Sequence, residues 1–280
     1  MNGVVAVPSG TLADRALERL ARGPETAMLL ARDVFGLVRA PEAVAERMAV
    51  ALLGADPRVR RLPDGRWAVV TQAVGSPLIE DAAFAVVDVE TTGSSAGGSD
   101  RVTEVAVVVV QGARCEIAYD TLVNPERPIS PAVTVITRIT NAMVRTAPTF
   151  DLVADQVMAE LTGRVFVAHN LRFDWHFLVA EFRRAKSLGM EGQKLCTVRL
   201  ARQLIPGLPS YGLDVVADYF GVDNPARHRA AGDALATGLV LQRLLDLARG
   251  KGARTLLDLE QMQVKRRKGT RRTSLPEDMI

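Results

Sequence analysis

The longest unbroken apolar run that reads as a strand spans residues 105–110, six positions of which five are valine. β-Branched side chains favour extended backbone, and six residues fall far short of the ~20 that a membrane-crossing helix needs. The run lies inside a β-rich segment, residues 102–110, with others at 84–90 and 116–123. The periodicity then changes. Val153, Ala154, Val157, Met158 and Leu161 share one helical face over 151–161, and Gly163 ends that helix. A short strand at 164–168 and helices near 173–186, 197–204, 213–220 and 230–248 follow. Three strands in succession, then alternating helix and strand, predict an α/β domain with a mixed sheet flanked by helices.

The first 75 residues carry a different pattern. Leu12, Ala16, Leu17 and Leu20 predict one helix; Ala27, Leu30, Ala31 and Val34 a second, after Gly23-Pro24. A third runs from Pro41 to Leu53 with Val44, Met48, Ala51 and Leu52 as its apolar stripe. Residues 59–62, a Pro63-Asp64-Gly65 turn and residues 66–70 then form a hairpin signal. Three helices and a hairpin resemble a small winged-helix module. Such a module binds duplex nucleic acid, here through Arg47, Arg58, Arg60, Arg61 and Arg66, or packs against the rest of the protein or a partner. The chain thus divides into a winged-helix-like module (1–75), a linker (76–83), an α/β domain (84–249) and a basic tail (250–280).

Charge follows these divisions. The net charge of +3 splits into +2 for residues 1–75, −3 for 76–250 and +4 for 251–280. Basic ends around a slightly acidic middle suit a polyanionic partner, because Lys and Arg contacts to phosphate release counterions. Two cysteines, Cys115 and Cys196, build neither a disulfide framework nor a four-ligand zinc site. The first ten residues lack the basic head and long apolar stretch of a secretion signal. A cytoplasmic protein with no membrane partner is expected.

The chemistry gathers in three clusters. Asp88 and Glu90 end an apolar strand, and residues two apart on a strand point to the same side. Paired carboxylates repel unless cations compensate them, so they form a natural site for Mg²⁺ or Mn²⁺. The Thr91-Thr92-Gly93 that follows ends the strand, where ligands collect in α/β sheets. The second cluster is His169-Asn170-Leu171-Arg172-Phe173-Asp174, with Asp174 near a helix start. The third runs from His228 to Asp233. Five residues on one helix separate side chains by ~140°. For both to serve one site, His228 must lie in the loop after Pro225 and Asp233 on the helix.

In their order, Asp88-Val89-Glu90-Thr91-Thr92-Gly93, His169 through Asp174, and His228 through Asp233 resemble the three motifs of the DEDD exonucleases. The likeness is to the histidine-type, DnaQ-like branch that includes the proofreading epsilon subunits of bacterial DNA polymerase III. It covers residues 84–248 and implies a ribonuclease H-like fold. It also implies that Asp88, Glu90, Asp174 and Asp233 hold two divalent ions, Mg²⁺ or Mn²⁺. His228 would accept the proton of the attacking water, and a nucleoside 5′-monophosphate would leave the 3′ end of single-stranded DNA. Thr91, Thr92 and Asn170 would contact or support the terminal nucleotide, and a polymerase is a candidate partner. Single-stranded RNA is an alternative substrate. A catalytically inert nucleic-acid-binding regulator is a third reading, but it predicts loss of a ligand or of the base, and all five residues are present. Two features depart from the family: Arg138 stands where glycine is common, and the loop 94–99 is unusually small and flexible in composition.

Overall fold

The computed structural model describes residues 3–8, 11–56, 58–69 and 76–263. A short strand, β1 (Val5–Pro8), comes first, followed by helices α1 (Thr11–Leu20), α2 (Ala27–Asp33) and α3 (Glu42–Leu53). A small antiparallel hairpin, β2 (Val59–Arg61) with β3 (Trp67–Val69), closes this part. The expected order of three helices and a hairpin is present, and it encloses its own apolar cluster around Leu30, Leu53 and Trp67.

Two helical faces differ from those read in the sequence. Ala13, Ala16 and Leu20 are buried on α1 while Leu12 is exposed; on α3 the buried residues are Ala45, Ala49 and Leu53, with Met48 and Ala51 facing solvent. Small residues four apart let helix axes approach closely, so alanines hold the seam and the bulkier side chains lie outside it. Arg58 also departs from expectation. Only 9% exposed, it is enclosed by Asp56 (2.7 Å) and Glu191 (2.7 Å) and so ties this module to the rest of the chain.

The second part is built on a five-stranded sheet. Its first strands are β4 (Phe84–Thr91), β5 (Val102–Gln111) and β6 (Arg114–Leu122). Short helices α4 (Pro131–Thr137) and α5 (Asn141–Val144) precede α6 (Phe150–Leu161), strand β7 (Val165–Ala168) and α7 (Arg172–Lys186). Strands β8 (Leu188–Glu191) and β9 (Lys194–Cys196) lead to α8 (Thr197–Leu204), α9 (Leu213–Phe220), α10 (Ala230–Gly250) and α11 (Leu256–Gln263). Sheet order is β6-β5-β4-β7-β9, with β4, β5 and β6 antiparallel and β4, β7 and β9 parallel. This is the mixed sheet expected.

Both faces of the sheet are covered. Phe84, Val86, Ala106, Val108 and Val110 pack under α8–α11, whereas Ala85, Val87, Val89, Val105 and Val107 pack under α6 and α7. Strict alternation along β4 and β5 produces this division, and burial on two faces explains why 105–110 carries no polar residue. Gly238 lets α10 settle on the sheet: a Cβ there would lie 2.8 Å from Cys115 Sγ and 3.2 Å from Val108 and Val110.

Several segments without a clear sequence signal are ordered by pairing. β1 adds antiparallel to β8, so residues 5–8 belong structurally with the second part, not the helices that follow them. Within the expected linker, Leu78 bridges Thr255, and Ile79 and Ala82 are buried. Within the expected tail, α11 docks Leu256 and Leu259 into the main core. The basic stretch 264–273 and residues 70–75 lie outside the described residues. No described helix is long and apolar enough to cross a membrane. Leu259→Ala should cost about 2–5 kcal/mol, as for other fully buried leucines; denaturant unfolding with a loss under ~0.5 kcal/mol would show that α11 is not part of the core.

Candidate active site

β4 is the centre of the site. Its pairing with β5 is regular from Phe84 to Glu90 and then shifts register, with Glu90 opposite Glu104 and Thr91 opposite Val102. Such a bulge twists a strand end and re-aims its side chains. Asp88 and Glu90, two apart, emerge on one side just before it.

α10 supplies the third acid. Oxygens of Asp88, Glu90 and Asp233 all lie within 4.8 Å of one another. Asp174 joins from α7: its Oδ1 accepts the Val89 N–H at 3.2 Å, which seats it beside the same strand. Asp174 is 3% exposed. The four acids are therefore brought together from three separate elements.

His228 occupies the loop before α10, as the angular argument requires, and takes a left-handed backbone conformation (φ 59°). Its backbone N–H donates to Asp233 Oδ2 at 3.1 Å while its side chain stays exposed. Asn224 donates its side-chain N–H to the other oxygen, Asp233 Oδ1. Both oxygens of Asp233 are thus oriented by the loop that carries His228.

The charge balance is unfavourable without cations. Burial pushes the Asp88 carboxyl well above its ordinary value, and the neighbouring Asp174, Glu90 and Asp233 add to it. Burial, then Asp233 and Glu104, raise Glu90 to about 7, with Arg229 opposing. Asp174 is raised to about 8 by burial, against the two backbone N–H groups that it accepts. Asp233 is also raised, first by burial. An all-oxygen donor set with this much uncompensated negative charge fits hard divalent cations such as Mg²⁺ or Mn²⁺.

Residues that the motif reading passed over hold this arrangement. Glu104, 2% exposed, accepts Arg229 Nε at 3.1 Å and the Ala230 N–H at 2.8 Å; Arg229 Nη2 is also its partner. It thereby caps α10 and fastens the residue next to His228 to the sheet. A lone acid inside a valine run is itself a signal, because glutamate is almost never fully buried without a partner. His169 is half-buried: Nε2–H donates to the Tyr211 carbonyl at 3.0 Å, and Nδ1 lies 2.8 Å from the Thr197 hydroxyl. Burial holds its pKa below the ordinary histidine value.

Thr91 and Thr92 are buried, and their hydroxyls shape the loop after β4. Thr91 donates to the Gly93 carbonyl, and Thr92 pairs with Asp100 at 3.2 Å. Asn170 lies exposed at the end of β7 with φ 71°. The loop 94–99 is anchored despite its composition: Arg184 donates to the Ala96 and Gly98 carbonyls, and Arg127 to Ser99 and Asp100. Arg138 takes the left-handed cap of α4 (φ 60°), the conformation that accounts for glycine being common there.

A family model for exonucleases matches residues 85–241, over half of the chain and all three acidic clusters. The chain belongs to the exonuclease family. Its α/β domain has the ribonuclease H-like, DnaQ-like architecture that the motifs implied. It is 31% identical over 166 residues to the DNA polymerase III epsilon subunit of Aquifex aeolicus, a match covering 59% of this chain and 82% of that protein. It is also 33% identical over 179 residues to the 3′–5′ exonuclease DinG of Bacillus subtilis, covering 64% of this chain and 19% of that protein. Among solved structures, exonuclease X in complex with 5′ overhanging duplex DNA matches with a TM-score of 0.52 and 30% identity, over 65% of this chain and 99% of that one. The chain spans only 29%, 19% and 13% of three of its longer relatives. The similarity lies in the exonuclease domain.

The raised carboxyls set a pH dependence for the stability of the chain in EDTA. A carboxyl whose folded pKa exceeds its unfolded value stabilises the fold below the unfolded pKa, and that contribution is lost as pH rises through the folded pKa. With Glu90 near 7 and Asp174 near 8, thermal stability in EDTA should fall between about pH 4 and about pH 8. Mn²⁺ should restore more of it at the alkaline end, where the acids are ionised. A flat profile, or equal restoration at both ends in thermal scans, would contradict this.

Proposed function

We propose that the chain is a metal-dependent 3′–5′ exonuclease that releases nucleoside 5′-monophosphates from single-stranded DNA ends. The observation that supports this most strongly is the meeting of Asp88, Glu90 and Asp233 within 4.8 Å, with Asp174 seated beside them through Val89. The polarity is that named for DinG of Bacillus subtilis.

Asp88, Glu90, Asp174 and Asp233 would hold two divalent ions, which supply activation of the attacking water and stabilisation of the departing 3′ oxygen. His228 would accept the water's proton on a ring nitrogen, the general-base role that an imidazole serves. The His228 N–H bond to Asp233 keeps base and ligand in fixed register as the proton moves. Glu104 and Arg229 hold the start of α10, and with it both residues, against the sheet. Thr91, Thr92 and Asn170 line the approach of the terminal nucleotide, the threonines through the loop geometry that their hydroxyls set.

The N-terminal helices and hairpin are a substrate- or protein-holding module in this reading, with exposed Arg47 and Arg60 as its contacts. Arg58 has no such role, since it is committed to Asp56 and Glu191. A polymerase is a candidate partner, as it is for an epsilon subunit. RNA remains the competing substrate, because discrimination requires a contact to the 2′-hydroxyl.

Incubation of 5′-labelled single-stranded DNA and RNA with Mg²⁺, Mn²⁺ or EDTA tests this directly. DNA should shorten stepwise from its 3′ end with either metal and stay intact in EDTA. Asp88→Asn, which keeps side-chain volume, should lower the rate by at least about a hundredfold without unfolding the chain. Retained turnover in EDTA or in Asp88→Asn, or shortening from the 5′ end, would refute the assignment.

A further inference from the structure

A cavity of about 520 Å³ lies between α7 and the loop that follows β4. Ser94, Ser95 and Gly97 line one wall; Arg172, His176 and Arg183 line the other, and no acid contributes to it. Residues 172, 176 and 183 fall on one stripe of α7, spaced by four and seven positions, over a rise of about 16 Å.

The state of these cations sets them apart. Arg101, Arg127, Arg184 and Arg229 are each engaged by a carboxylate or by carbonyls. Among the described residues, Arg172 and Arg183 have no ion pair, and both are exposed. Two unpaired guanidinium groups and an imidazole facing an acid-free concavity call for an anionic ligand. The cavity is also built to keep its shape. Arg184 Nη2 donates to the carbonyls of Ala96 (3.3 Å) and Gly98 (2.9 Å), and the Ser95 N–H donates to Asp100 Oδ2 (3.0 Å), so the loop is held to α7. A Cβ at Gly97 would meet nothing within 4 Å, which leaves that backbone open to a ligand.

Position selects the ligand. One wall is the loop that continues from the end of β4, where Asp88 and Glu90 stand. The other begins in the first turn of α7, where Arg172 and the buried Asp174 face opposite sides. The cavity therefore starts a few residues from the carboxylates along the chain and runs away from them on the outer side of α7. We infer that it is a binding site for the sugar–phosphate backbone of single-stranded nucleic acid, holding nucleotides 5′ of the one being removed. This deepens the exonuclease reading and rests on it for direction only. Arg172 and Arg183 contact phosphates, and the small Ser-Gly wall leaves room for sugar and base.

Fluorescence anisotropy of labelled dT20 in EDTA, over a range of salt concentrations, tests the site without requiring turnover. Arg172→Ala/Arg183→Ala should weaken binding roughly tenfold at low salt and reduce the slope of log K against log[salt] by roughly 0.7 for each arginine. Lysine at both positions should restore most of the slope, and Arg243→Ala, on the far side of α10, should change neither value. Affinity and slope unchanged in the double alanine variant would overturn the proposal, as would a wild-type chain that does not bind dT20. Failure of the exonuclease reading itself would appear separately, as dT20 left undegraded with Mn²⁺ despite binding.

Discussion

Mutual repulsion among clustered carboxylates is the constraint on which the rest of the structure depends. Left in water, Asp88, Glu90, Asp174 and Asp233 would separate; here the backbone pins them. β7 pairs with the start of β4, Phe84 to Val86, and β5 pairs along its whole length, so β5 holds the end that carries Asp88 and Glu90. The Val89 N–H holds Asp174, and the His228 loop holds Asp233. The Glu104–Arg229 pair fastens the start of α10 to the sheet. The rest of the fold gives these contacts a rigid base and tolerates a charge density that is unfavourable until cations arrive.

The fold was largely legible where local pattern and final environment agree. Two-face burial of β4 and β5 writes itself as valine runs, and the helical stripes of α6, α8 and α9 are plain. What was not legible depends on partners distant in sequence. β1 and β8 are four-residue strands that exist because they pair with each other across the chain. α11 looked like part of a polar tail because only Leu256 and Leu259 are buried on it. On α3 the eye goes to Val44 and Met48, yet Ala45 and Ala49 make the contact, since close packing favours the smaller side chain.

The site was legible as an ordered set of acids, because spacing on a strand and across a helix start is a local property. Its support was not. Glu104 carries its role through Arg229, 125 residues away, and Asn224 through Asp233 after a chain reversal. His169, which opens the second motif, turns inward to Tyr211 and Thr197 and shapes the backbone beside Asn170. The loop 94–99 looks mobile by composition and is held by arginines from elsewhere in the chain.

The central claim is that these four acids form one cation-binding cage. Crystals grown with Mn²⁺ and measured at its absorption edge test it most directly. The account requires anomalous density bonded to the carboxylates of Asp88, Glu90, Asp174 and Asp233. Manganese bound only elsewhere, or absent at millimolar concentration with the acids ionised, would contradict it.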